Sequence, residues 1–161
     1  MMETLKVFIS GTQDDLQPER QAVADAIRAL GHEPLMAETY GAQPMPSLDT
    51  IREMIDLADI YIGVYSALYG SKPDGKVSVT EFEFTEFYHR HPDRILTYLK
   101  KCTPEIEQAA FLKRVQDFKG GYFRRPFFTN DTNSPIGSRK TSFNLSRGWY
   151  TRNCAALPMP R

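Results

Sequence analysis

The chain has 161 residues, enough for one domain with a core of its own, and 41% hydrophobic with 25% charged residues is ordinary for a soluble globular protein. A formal net charge of +0 excludes a general electrostatic pull toward nucleic acid or an anionic membrane. The neutrality is uneven, because residues 129–161 hold Arg139, Lys140, Arg147, Arg152 and Arg161 against Asp131, a net of +4, leaving −4 on residues 1–128.

In chain order, "LKVFIS" (Leu5–Ser10) is a short apolar run stopped by Gly11 and predicts a buried strand. Leu16, Val23, Ile27 and Leu30 then form a helical stripe, with Asp14 or Asp15 as cap and Gly31 as stop. "EPLMAE" predicts a weaker strand and "GAQPMPSL" a Pro-rich loop. Ser47 is placed to cap a helix that carries Leu48, Ile51, Met54, Ile55 and Ala58 on one face. "IYIGVYS" (Ile60–Ser66) is the clearest strand, and a loop through "ALYGSKPDGK" follows it. "RILTYLK" predicts a further strand, "PEIEQAAFLKRVQDF" a helix opened by Pro104, and "YFRRPF" a last short strand.

Between them lies "GKVSVTEFEFTEFYHRH", which alternates like a strand up to Phe84. From there Phe84, Phe87, Tyr88 and His91 take the spacing of one helix face. Parallel strands on either side need a crossover, and a helix from Thr80 to His91 supplies it. Thr80 and Glu83 fit a capping box. The expected fold is an α/β domain, an open and mostly parallel five-stranded sheet with helices on both faces, over residues 1–128. Residues 129–161 lose all periodicity and read as an irregular basic tail, without the fifth helix such a sheet would use.

Open parallel sheets bind ligands beyond the carboxyl ends of their strands. That selects "SGTQDD", "YSALYGS" and the helix start "SVTEFE". Glu81 and Glu83 flank the apolar helix face there, near the strand tips and against a helix N-terminus that favours their ionised forms. Each is a candidate catalytic carboxylate, and each is also a candidate cap. Ser10, Gly11 and Thr12 offer backbone and hydroxyl groups to a ribose or phosphate. Tyr65 or Tyr69 is placed to stack on a base, with Tyr69 alternatively a loop anchor. Asp15, Glu19 and Arg20 fit a solvated cap and ion pair, or a wall of the site. "GSKPDGKVS" approaches a phosphate-binding P-loop but has Val77 where a Ser or Thr is needed, and His89 and His91 diverge by about 200° on a helix, a poor metal pair.

The stretches "KVFISGTQDDLQPER", "ADIYIGVYSALYGS" and "SVTEFEFTEF" together resemble a bacterial family of domains of unknown function. That family often stands at the N-terminus of signalling ATPases and is related to Toll/interleukin-receptor (TIR) domains and nucleoside deoxyribosyltransferases. The resemblance spans about residues 5–128 and implies a flavodoxin-like, TIR-like fold. In the deoxyribosyltransferases a Ser-Gly-Thr-Ala-x-Glu run carries a nucleophilic glutamate, and "SVTEFE" puts Glu83 at that position, with Val79 in place of the glycine. Tyr65 and Ser66 stand where those enzymes place an aspartate. The implied activity is N-glycosidic cleavage of an NAD-like, nucleotide or nucleoside substrate in bacterial signalling or defence, with NAD as substrate rather than cofactor and no metal. The alternative is a non-catalytic module for self-association or for binding a signalling protein.

Two isolated cysteines, Cys102 and Cys154, suit a reducing compartment, so the cytoplasm is the expected location. No apolar run reaches the length of a membrane span, and no membrane partner is expected. Trp149 and Tyr150 in the basic tail are too little to make a nucleic-acid arm the favoured reading.

Overall fold

The computed structural model describes residues 3–39 and 47–116, together with the backbone of Phe127–Phe128. Strands β1 (Lys6–Ser10), β2 (Glu33–Leu35), β3 (Ile60–Tyr65), β4 (Ile95–Lys100) and β5 (Phe127–Phe128) alternate with helices α1 (Gln13–Ala29), α2 (Leu48–Leu57), α3 (Val79–Arg90) and α4 (Ile106–Gln116). The sheet runs in the order β2-β1-β3-β4-β5, and every pairing is parallel. Four strands form its body, while β5 adds two residues beside Leu99 and Lys100. The expected α/β architecture is therefore present, with β3 in the centre and β1 next to it. The remainder of "YFRRPF" and the tail 129–161 lie outside the described residues.

Period-two alternation divides the sheet into two faces. Val7, Ile9, Ile62, Val64 and Tyr98 pack with Leu16, Val23, Ala24 and Ile27 of α1. Phe8, Tyr61, Tyr65 and Leu99 pack on the opposite side with Ile51, Met54 and Ile55 of α2, Phe84 and Phe87 of α3, and Phe111 of α4. That second core is aromatic, with Tyr61 near Phe8, Phe84 and Phe87 at centroid distances of 5.9, 6.0 and 5.4 Å.

Two helix starts differ from expectation. The cap of α1 is Thr12, and Asp15 sits inside the first turn instead of preceding it. Helix α3 begins at Val79, where Ser78 accepts from the Glu81 amide at 3.1 Å. The capping residue is thus Ser78, not Thr80, and Glu83 falls beyond the cap. Ser47 caps α2 as expected, accepting from Thr50 N at 3.2 Å, and Gly31 ends α1 with φ of +81°. Among the described residues no helix is long and apolar enough to cross a membrane.

Candidate functional site

Strands β1 and β3 are neighbours whose onward connections run to opposite sides of the sheet, since β2 lies outside β1 and β4 outside β3. A crevice opens at the carboxyl ends of such a pair. Ser10 ends β1, Ser66 directly follows β3, and α3 starts above them. Close packing at this point explains Gly11: a Cβ there would lie 2.5 Å from the Val64 carbonyl oxygen, with the Arg20 side chain at 3.4 Å.

Glu83, in the second turn of α3, reaches the end of β1. It is 4% exposed, and its Oε2 accepts a hydrogen bond of 2.5 Å from Ser10 Oγ, itself 1% exposed. Burial pushes the carboxyl up from 4.5 to about 7, against the opposing pull of the Ser10 hydroxyl and of Arg20, with Glu38 adding a smaller push. Among the described residues no cation forms an ion pair with it.

The neighbouring charges are arranged differently. Arg20 is buried and grips Glu38 with both terminal nitrogens, at 2.6 and 2.7 Å, while its Nε is buried with no hydrogen-bond partner among the described residues. Glu19 is buried and takes Lys100 Nζ at 2.7 Å. The solvated pair expected of Glu19 and Arg20 is thus two half-buried pairs, each residue taking a partner from another part of the chain. Half-buried Asp15 accepts from the hydroxyls of Thr12 and Ser66, which ties the first turn of α1 to the end of β3. Ser66 also offers its carbonyl to Gln108 Nε2 at 3.0 Å. Ser10, Gly11, Thr12, Asp15, Ser66 and Glu83 are therefore gathered at one end of two adjacent strands.

Three other candidates are engaged by neighbours of their own. Glu81 is buried but committed, accepting from Tyr69 Oη at 2.5 Å and from Arg114 Nη2. Tyr69 is anchored at both ends, its hydroxyl held by Glu81 and its amide donating to Glu105 at 2.9 Å. Tyr65 is core: its ring meets Phe111 edge-on at 5.2 Å and its hydroxyl lies 2.8 Å from that of Tyr61. The strand's pleat put Tyr65 on the correct face, but its side chain turns back over Gly63 instead of out toward a ligand. Sequence reasoning missed Tyr61 and Glu38. An alternation count marks Tyr61 as inward-facing, whereas nothing local marks Glu38. Among the described residues no group of three or more His, Cys, Asp and Glu side chains is arranged to hold a metal.

Comparison with solved structures finds similarity to the TIR domains of the activated Roq1 resistosome, which directly recognises the pathogen effector XopQ. The identity is 11% and the TM-score 0.48, over 71% of this chain and 72% of that one. No curated protein matches the chain. The family described as a domain of unknown function, DUF4062, matches residues 6–140, a span that starts at β1 and runs past Phe128. With that span covering most of its length, the chain belongs to the DUF4062 family.

Proposed function

We propose that the domain cleaves the N-glycosidic bond of a nucleotide, NAD-like or nucleoside substrate, with Glu83 as the catalytic carboxylate. One observation carries this reading. Among the described residues, buried Glu19 is paired with Lys100 and buried Glu81 with Arg114, whereas buried Glu83 is held by the Ser10 hydroxyl and no cation. An unneutralised buried carboxylate costs stability, and such groups concentrate where chemistry needs them.

The chemistry suits an ionised Glu83. As the bond between the sugar carbon and the base nitrogen breaks, the bonding pair leaves with the base and positive charge develops on the sugar. A fixed carboxylate in a site of low dielectric stabilises that charge or captures the carbon as an ester. Water then attacks the sugar carbon, any ester bond to Glu83 breaks to return the carboxylate, and the water's proton goes to the departed base, completing hydrolysis. Ser10 holds Oε2, which leaves Oε1 for the sugar. Arg20 acts electrostatically on Glu83 and retains a buried donor at Nε for a substrate oxygen.

A second reading, a self-associating or partner-binding module, draws on the cover over the carboxylate, since Glu83 and Ser10 are only 4% and 1% exposed. Incubating the purified protein with NAD, nucleotides and nucleosides, and measuring released base by chromatography, separates the two. Release that disappears in Glu83→Gln supports the enzyme. Absence of release from every substrate, combined with concentration-dependent association, supports the module.

A further inference from the structure

Tyr61 and Tyr65 lie on one face of β3 with Gly63 between them. Both are buried, at 0% and 1% exposure, and their phenol oxygens meet at 2.8 Å. The meeting point is over Gly63, where an added Cβ would run into the Tyr65 phenol oxygen. In the neighbouring strand Gly63 is the register partner of Ser10. Ser10 Oγ donates to Glu83 Oε2 at 2.5 Å, and the phenol pair over Gly63 faces Ser10 across the β1–β3 register. The hydroxyls of Tyr65, Tyr61 and Ser10 are therefore set in a row beside the carboxylate that Ser10 holds.

Packing alone does not call for this row. Phenylalanine would fill the same volumes without polar atoms to satisfy in the core. A glycine in a central strand also weakens it, and here that glycine makes room for the phenols to meet. Each hydroxyl has one proton, so the row has a direction. With Glu83 ionised, every O–H can point toward it; with Glu83 protonated, the Ser10 end must reorient.

We infer that Tyr61 and Tyr65 are positioning residues for Glu83, which act through Ser10 to fix Oε2, turn Oε1 toward the substrate and favour the ionised carboxyl. This rests on the reading of Glu83 as the reacting group. Burial raises both phenols well above their ordinary range, so they remain neutral donors. Glu83 is faced also by Arg20 of α1, which favours its charge, and by Glu38 of the 3-10 turn Ala37–Thr39, which opposes it. Those two are paired with each other, and neither pairs with a phenol oxygen.

Difference infrared spectroscopy of the full chain tests the inference. The Glu83 carboxyl band is identified by its loss in Glu83→Gln, and its titration is followed in Tyr65→Phe and Tyr61→Phe. The expected result is a rise in the proton affinity of Glu83, about threefold for Tyr65→Phe and roughly tenfold for Tyr61→Phe. Tyr65→Phe is the decisive variant, because the oxygen it removes lies two hydroxyls from the carboxylate and a purely structural role would move only the melting temperature. An unchanged midpoint in folded Tyr65→Phe overturns the inference. The readout needs no turnover, so a shifted midpoint without base release upholds the hydroxyl row and sinks the catalytic reading of Glu83. With turnover, the acid limb of the kcat profile moves with the midpoint and KM does not.

Discussion

Glu81 and Glu83 are two residues apart on one helix and both are buried, at 6% and 4% exposure, yet their surroundings differ in kind. Around Glu81, Arg114 supplies a countercharge and Tyr69 a donor, linking α3 to α4 and to the loop after β3. Around Glu83, among the described residues, the one hydrogen-bond partner is the Ser10 hydroxyl, and Arg20 is paired to Glu38. The lesson concerns partners, not burial. A buried carboxylate with its own cation is a structural tie, and one without is a stored cost that invites a functional explanation.

The largest effect that tests this contrast is on turnover. Glu83→Gln preserves size and the bond from Ser10 while removing the charge, so base release is expected to fall by at least ~100-fold, and it is measured against wild type on the same substrate. Wild-type release in that variant would erase the contrast. In the wild-type protein the ionised fraction of Glu83 grows as pH rises through about 7, so the rate of base release should rise with pH over that range.

Stability should move the opposite way. The folded carboxyl titrates near 7 against 4.5 when unfolded, so between those values the folded state holds the extra proton. Stability therefore falls as pH rises through this window, then levels off above it. Glu83→Gln has no such penalty. It should match wild type near pH 4 and exceed it at pH 8 by roughly 3 kcal/mol, as measured by urea unfolding at both pH values. A constant difference across pH would mean that Glu83 is not perturbed in the folded protein.

The sequence made the framework legible because strands and helices write their periods locally. "IYIGVY" is buried along nearly its whole length and needed no tertiary information. The start of α3 was harder, because two Ser/Thr-x-x-Glu frames overlap in "SVTEFE", Ser78 to Glu81 and Thr80 to Glu83. Both satisfy the same local rule, and only the packing of α3 selects Ser78. That choice of frame leaves Glu83 free of the cap. The site's pairings were invisible for another reason. Ser10 meets Glu83 across 73 positions and Glu19 meets Lys100 across 81, so no local pattern records them. Tyr65 illustrates the limit of alternation, which gives the face of a side chain but not its direction along the strand.

Arg20 tests the electrostatic boundary between the two glutamates. Its guanidinium is buried, while the Glu38 side chain it grips is 32% exposed. Arg20→Met removes the cation and leaves Glu38 with partial access to water, so the cost should be about 2 kcal/mol, below the range for a fully buried pair. Losing the cation also removes an attraction that favours ionised Glu83, and the pH at which activity rises should move upward. A variant with unchanged stability and an unchanged pH profile would show that Arg20 acts on neither carboxylate.

The smallest effect is expected at Glu81. In Glu81→Gln the amide oxygen still accepts from Tyr69, so the anchor of the loop after β3 survives. What disappears is the charge opposite Arg114, whose side chain is 64% exposed and can turn to solvent. Exposed members of ion pairs recover most of their solvation, which limits the loss to about 1 kcal/mol or less. The cap of α3 is also intact, because the Glu81 residue contributes its backbone amide to Ser78, and substitution does not alter that group. Base release should stay close to wild type, since Glu81 is held on the side of α3 that faces Tyr69 and Arg114, away from Ser10. A loss of turnover in Glu81→Gln equal to that in Glu83→Gln, without a matching loss of stability, would transfer the catalytic role to Glu81 and make its ion pair a resting state that substrate must break.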